Sequence, residues 1–167
     1  MDDEPVLKNQ VLPKPLKPMT HTECVAHASE WLRNKCNVIL PEFFTHNSEL
    51  CDVIGFRAYG TSLMIECKVS RGDFLSDKKK SFRIRPETGM GDQRYYCCPA
   101  GLIKPSELPK GWGLIYVYPG GTTRCIKGSK THEKSLDAEH HLLYYYARRA
   151  NFASVHKTII EYRGYDS

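Results

Sequence analysis

The stretch Cys51-Asp52-Val53-Ile54-Gly55, answered by Ile65-Glu66-Cys67-Lys68, decides how this chain is read. Both runs are short, apolar and bounded by turn-forming residues, so both read as strands. Ala58-Tyr59-Gly60-Thr61 between them reads as a hairpin turn. The first strand is expected over 51–57 and the second over 62–69. Alternation along the second puts Leu63, Ile65, Cys67 and Val69 on one face and Met64, Glu66 and Lys68 on the other. In the first, Asp52 shares a face with Ile54 and Phe56. If the two pair as a hairpin, Asp52 approaches Glu66, one near a strand start and the other near a strand end.

Two carboxylates and an ammonium inside apolar strands need a reason. Each costs several kcal/mol to remove from water unless it is paired, roughly. The bland reason is a Glu66–Lys68 or Asp52–Lys68 salt bridge on the solvent face of a sheet. The chemical reason is metal-dependent cleavage of a phosphodiester. A cation must neutralise the charge that develops on phosphorus and lower the pKa of the attacking water. Mg²⁺ takes oxygen ligands, commonly one or two carboxylates with waters and substrate phosphate. Asp52 and Glu66 would supply the carboxylates, and Lys68, one pleat from Glu66, would hold the water or phosphate as a point charge.

Upstream, Thr20 or Thr22 can cap a helix in which Val25, Ala28, Trp31 and Leu32 recur at helical spacing, ending by Asn37. Val38-Ile39-Leu40 followed by Pro41 reads as an edge strand. Residues 1–19, with Pro5, Pro13, Pro15 and Pro18 among lysines, read as an extended tail. Residues 20–167 read as a single domain. Downstream, 73–80 reads as a short basic helix capped by Asp73, and 82–92 as a loop. Strands are expected over 94–98 and 113–118, with Gly120-Gly121 turning into another over 123–126. Residues 137–161 are helical in pattern, as two helices or one interrupted near Asn151. The order is helix, several mostly antiparallel strands with an inserted helix, then helix: an α/β sandwich-like arrangement.

With 41% hydrophobic and 26% charged residues, the composition is that of a soluble globular chain. No apolar run approaches the roughly 20 residues that cross a bilayer, and no signal peptide is visible, so a cytoplasmic location is expected. The net charge of +5 is compatible with a nucleic-acid partner without requiring one. Seven cysteines, an odd number with no CxxC pair, read as free thiols in a reducing compartment rather than as disulfides or a zinc site. Walker loops, GxGxxG and serine elbows are absent from the sequence.

Asp52 with Glu66-Cys67-Lys68 resembles the core motif of the PD-(D/E)XK nuclease superfamily. The run Val69-Ser70-Arg71-Gly72-Asp73-Phe74-Leu75-Ser76-Asp77-Lys78 is similar to the continuation seen in its MmcB-like DNA-repair branch. Arg94-Tyr95-Tyr96, Leu108-Pro109, Gly113-Leu114-Ile115 and Ala147-Arg148-Arg149-Ala150 follow in matching order. The likeness runs from about residue 22 to about 150; the loop sequence 83–93 is extra and residues 1–20 are unmatched. It implies a restriction-endonuclease-like core, a mixed central sheet flanked by helices. It implies Asp52, Glu66 and Lys68 as catalytic residues, with Mg²⁺ or Mn²⁺ held by Asp52, Glu66 and the Cys67 carbonyl. Members often add an acid from the first helix, so Glu23 or Glu30 are further candidates. Asp77 would orient site groups, and Gln93, in an imperfect Gln-x-x-Tyr element with Tyr96, would face the site. The basic run Lys78, Lys79, Lys80, Arg83 and Arg85 would hold the phosphate backbone.

The expected activity is therefore a Mg²⁺-dependent endonuclease on DNA, in repair or in phage and host DNA processing. The rivals are an inactive nucleic-acid-binding module on the same fold and a protein-interaction factor, such as a phage-encoded inhibitor. The sequence leaves open DNA against RNA, strandedness and oligomeric state.

Overall fold

The computed structural model describes residues 17–41 and 51–150. The expected N-terminal tail before residue 17 and the helical pattern after residue 150 lie outside them.

The first helix, α1 (His21–Arg33), starts where Thr20 accepts the Glu23 N–H at 3.2 Å while the Glu23 carboxylate takes the Thr20 N–H at 2.7 Å. This reciprocal capping box satisfies two donors that an uncapped helix leaves open. Cys24, Val25, Ala28 and Leu32 form its buried stripe. Six strands then form one sheet in chain order: β1 (Val38–Pro41), β2 (Val53–Phe56), β3 (Ser62–Cys67), β4 (Gln93–Pro99), β5 (Gly113–Val117) and β6 (Thr123–Lys127). Pro41 ends β1 at the sheet edge, where a missing N–H is tolerated.

The pairing is mixed. β1–β2, β2–β3 and β5–β6 are antiparallel, but β3, β4 and β5 run parallel. This corrects the expectation of a mostly antiparallel sheet and fits the mixed central sheet flanked by helices. The physical reason lies in the connections. A parallel neighbour needs a crossover of a dozen or more residues, roughly, and the segments 68–92 and 100–112 are such crossovers. The first carries α2 (Arg71–Asp77) and α3 (Ser81–Ile84), so the segment read as loop is partly helical. The second carries a 3-10 turn at Pro105–Glu107. Ser70, not Asp73, caps α2: its hydroxyl accepts the Asp73 N–H at 3.2 Å. The C-terminal helix of the described residues is α4 (Leu136–Arg149).

Every residue of β3 is buried, because both faces of this central strand are covered. Leu63, Ile65 and Cys67 face α1 together with Val53, Tyr95, Cys97 and Ile115. Met64 faces the other way, into a second core with Ile54, Phe74, Tyr96, Trp112 and Leu142. In that core Tyr96 stacks on Trp112 at 4.7 Å and meets Phe74 edge-on at 5.2 Å. Trp31 is a half-buried anchor, 5.3 Å from the Tyr95 ring. Gly55 lets the end of α1 close on the sheet, since a Cβ there would stand 2.7 Å from Cys36 Sγ.

Candidate active site

The β2–β3 register pairs Val53 with Ile65, so the next step outward brings Asp52 opposite Glu66. Asp52 no longer pairs as a strand residue. Its Oδ2 instead accepts the Cys67 backbone N–H at 2.6 Å. This fixes the carboxylate at the end of β3 and leaves Oδ1 turned toward His21 Nε2, 3.3 Å away. In an extended strand the N–H and C=O of one residue point to the same side, so the Cys67 carbonyl also faces the Asp52 side.

Glu66 and Lys68 share a face, as alternation requires, and both are almost wholly buried. Lys68 Nζ lies 3.1 Å from Glu66 Oε2 and 3.5 Å from Asp77 Oδ1. They are not a salt bridge on a solvent-facing sheet. Asp77, at the end of α2, is fully enclosed. It accepts from Tyr96 Oη at 2.6 Å and Arg83 Nε at 2.8 Å, and Lys80 Nζ stands 2.9 Å away. Tyr96 is the β4 register partner of Glu66, so the sheet itself delivers Tyr96 to Asp77.

Arg83 corrects an expectation. Its side chain is 2% exposed and sits between Glu66 and Asp77, so it is not available to a phosphate backbone. It reaches 3.1 Å from Glu66 Oε1, yet that oxygen accepts no hydrogen bond. The guanidinium is hydrogen-bonded to Asp77 through Nε and a terminal nitrogen. Lys78, Lys79, Lys80 and Arg85 are exposed, although Lys78 donates to the Glu107 carbonyl and Lys80 pairs with Asp77.

Burial pushes the Glu66 carboxyl up to about 7, with Arg83 and Lys68 opposing and Asp52 and Asp77 adding to the rise. Burial alone would lower the Lys68 ammonium, but Glu66, Asp77 and Asp52 outweigh it and raise its pKa. Lys68 is therefore a fixed cation at neutral pH. Burial disfavours the charged form of Asp77, but Arg83 and the Tyr96 hydrogen bond hold it well below the usual carboxylate range.

Three other expected residues are elsewhere. Glu23 is spent on the capping box and faces a groove with Lys17 and His27. Glu30 is exposed and pairs with Arg33 at 2.7 Å. Gln93 pairs with Leu63, at the opposite end of β3 from Glu66. Conversely, His21 was missed. Its signal was its place directly after the cap of α1, but only the tertiary fold sets that helix start beside Asp52.

The donor types present are those that a hard divalent ion takes. Asp52, Glu66 and the Cys67 carbonyl stand at one strand end, His21 offers an imidazole beside Asp52, and the buried Glu66 Oε1 lacks a hydrogen bond. Among the described residues, the acidic and imidazole groups do not bring three ligand atoms within 4.8 Å of one another. Three acidic groups, Asp52, Glu66 and Asp77, gather toward that end, and burial, more than their mutual repulsion, raises Glu66 against the pull of Arg83 and Lys68.

No family model and no curated protein matches the chain. Among solved structures it is similar to the SPO1766 protein of unknown function from Silicibacter pomeroyi. The identity is 22%, over 90% of this chain and 98% of that one, with a TM-score of 0.60. The likeness concerns the fold alone. No helix among the described residues is long and apolar enough to cross a membrane.

Proposed function

We propose that this chain is a metal-dependent nuclease of the PD-(D/E)XK type that hydrolyses phosphodiester bonds of DNA. The observation that carries the reading is the convergence of Asp52, Glu66 and Lys68 at the end of two paired strands, with Glu66 buried and raised to about 7. Asp52, Glu66 and the Cys67 carbonyl would hold Mg²⁺ or Mn²⁺. When bound, such an ion polarises the phosphoryl oxygen and lowers the pKa of an attacking water. The residues of the chain do the rest. The Cys67 N–H keeps Asp52 in one rotamer. Lys68, braced by Glu66 and Asp77, presents a fixed positive charge to a phosphate oxygen or to the water. Lys79 and Arg85, exposed on the same crossover, hold the backbone through counterion release.

One contact favours a second reading. Arg83 stands 3.1 Å from Glu66 Oε1, where it neutralises part of the charge that an ion would take. A chain that relies on this internal cation would be an inactive nucleic-acid-binding module.

Cleavage of plasmid and oligonucleotide DNA with Mg²⁺, Mn²⁺ or EDTA separates the two. Metal-dependent cutting is expected, abolished in Asp52→Ala and Lys68→Ala proteins whose circular dichroism matches wild type. Full activity in a folded Lys68→Ala protein overturns the assignment. Salt-sensitive DNA binding without cutting or divalent-ion binding selects the second reading.

A further inference from the structure

Behind the candidate site, on the face of the sheet that packs against α1, three thiols from three elements converge. Cys24 of α1, Cys67 of β3 and Cys97 of β4 are each 0% exposed, and their sulfur atoms lie within 4.8 Å of one another. The arrangement follows from register. Cys67 and Cys97 are paired residues on parallel neighbours, so their side chains leave the sheet together. Cys24, one turn into α1, comes down onto both and approaches the Cys97 carbonyl at 3.5 Å. A helix crossing a sheet needs small residues at the contact, and Ala28 meets that need one turn along. Packing alone asks for no sulfur at three facing positions.

We propose that Cys24, Cys67 and Cys97 form a binding site for a soft, three-coordinate cation, with monovalent copper as the class that fits. Thiolates select copper(I) and zinc over hard ions. Three sulfurs spaced about 4 Å apart surround an ion at metal–sulfur bonds of about 2.3 Å, and the three sulfurs here lie within 4.8 Å of one another. Structural zinc takes four protein ligands, and the only such ligand cluster among the described residues has three members. Three-coordination therefore favours copper(I). On binding, three S–H bonds break, three metal–sulfur bonds form, and three protons leave to solvent. The copper enters as copper(I), so no electron moves. The complex carries two net negative charges. They face the positive end of α1, with His21 and His27 near enough to act on Cys24 electrostatically. A groove lined by Glu23, His27, Pro99 and Ala100 runs beside the start of α1 and the end of β4.

This proposal does not rest on the nuclease reading, although Cys67 lends its backbone to both sites, and its test does not use cleavage. Reduced full-length protein is titrated anaerobically with copper(I) in acetonitrile, against the chelator bathocuproine disulfonate. A single copper per chain should resist the chelator and show a thiolate-to-copper charge-transfer band in the ultraviolet. Cys24→Ser and Cys97→Ser should lose it, while Cys125→Ser, which alters an exposed thiol, should keep it. Copper X-ray absorption on the wild-type complex, which needs no variant to fold, should show a shell of three sulfurs. Complete removal of copper by the chelator overturns the proposal. So does retention by folded Cys24→Ser and Cys97→Ser proteins, or a shell with fewer than three sulfurs.

Discussion

At Glu66, burial and two neighbouring carboxylates act against two cations, and the balance leaves the acid near 7. The consequence for stability has a definite sign. A carboxyl whose pKa is raised by folding binds its proton more tightly in the folded state, so its contribution is full below the ordinary carboxylate range. It is lost as pH rises through about 7. Without divalent ions, the melting temperature should therefore fall between pH 5 and pH 7.5 by an amount that Glu66→Gln removes, read by thermal denaturation at matched ionic strength. If Glu66 helps hold Mg²⁺, the ion must displace that proton, so affinity should rise with pH up to about 7 and then level. Isothermal titration in two buffers of different ionisation enthalpy checks the proton release. An affinity independent of pH across this range would remove Glu66 from the ion's ligands. Nothing in the sequence beyond alternation announced this state. Alternation gave Glu66 and Lys68 a common face, but whether that face met water or a core depended on α2, α3 and Trp112 covering it.

Among the elements, the short helix α2 matters most for the site because it carries Asp77 to Lys68 and Arg83. Seven residues are too few to be helical alone, so its cap and its buried Phe74 hold it. Ser70→Ala should cost about 1 kcal/mol of stability, measurable by urea denaturation, while leaving the rest of the sheet intact. The same scale separates the two roles open to Glu23. Its carboxylate closes the capping box of α1, so Glu23→Gln should leave divalent-ion affinity unchanged. A several-fold loss of affinity would instead return Glu23 to the metal site. Helix α1 was readable from its threonine cap and apolar spacing. The segment 82–92 was not, because proline and two glycines mark turns equally well inside a crossover and inside a loop.

Across the whole molecule, the two ends of β3 serve different purposes. The carboxylates and Lys68 gather at its end, while its start is tied to α4 by a buried polar network. Ser62 donates to Glu139 at 2.6 Å, the Gly91 N–H donates to the same oxygen at 2.9 Å, and Lys134 bridges Asp92 at 2.6 Å and Glu139 at 2.9 Å. Removing one member leaves buried donors without acceptors, at roughly 1–3 kcal/mol for each such group. Glu139→Ala should therefore lower stability by about that much, seen as an earlier urea midpoint. Metal-dependent cleavage below the unfolding transition should persist, because the site lies at the opposite end of the strand. Loss of cleavage in the folded protein would show that the two ends are coupled.

The sequence by itself determined the strands around Asp52 and Glu66, their shared hairpin, and the common face of Glu66 and Lys68. These follow from local pattern: a period of two, apolar runs and a turn between them. It also narrowed the cap of α1 to Thr20 or Thr22 and marked Val25, Ala28 and Leu32 of its buried stripe. Only the tertiary structure decided that β3, β4 and β5 run parallel, since the direction of a strand depends on how its crossover closes and not on its own residues. That closure placed Arg83 against Glu66 rather than toward solvent and left Gln93 at the far end, while the docking of α1 on the sheet set His21 beside Asp52. It also brought together Cys24, Cys67 and Cys97, which are far apart in sequence and meet because register and helix crossing bring them to one point.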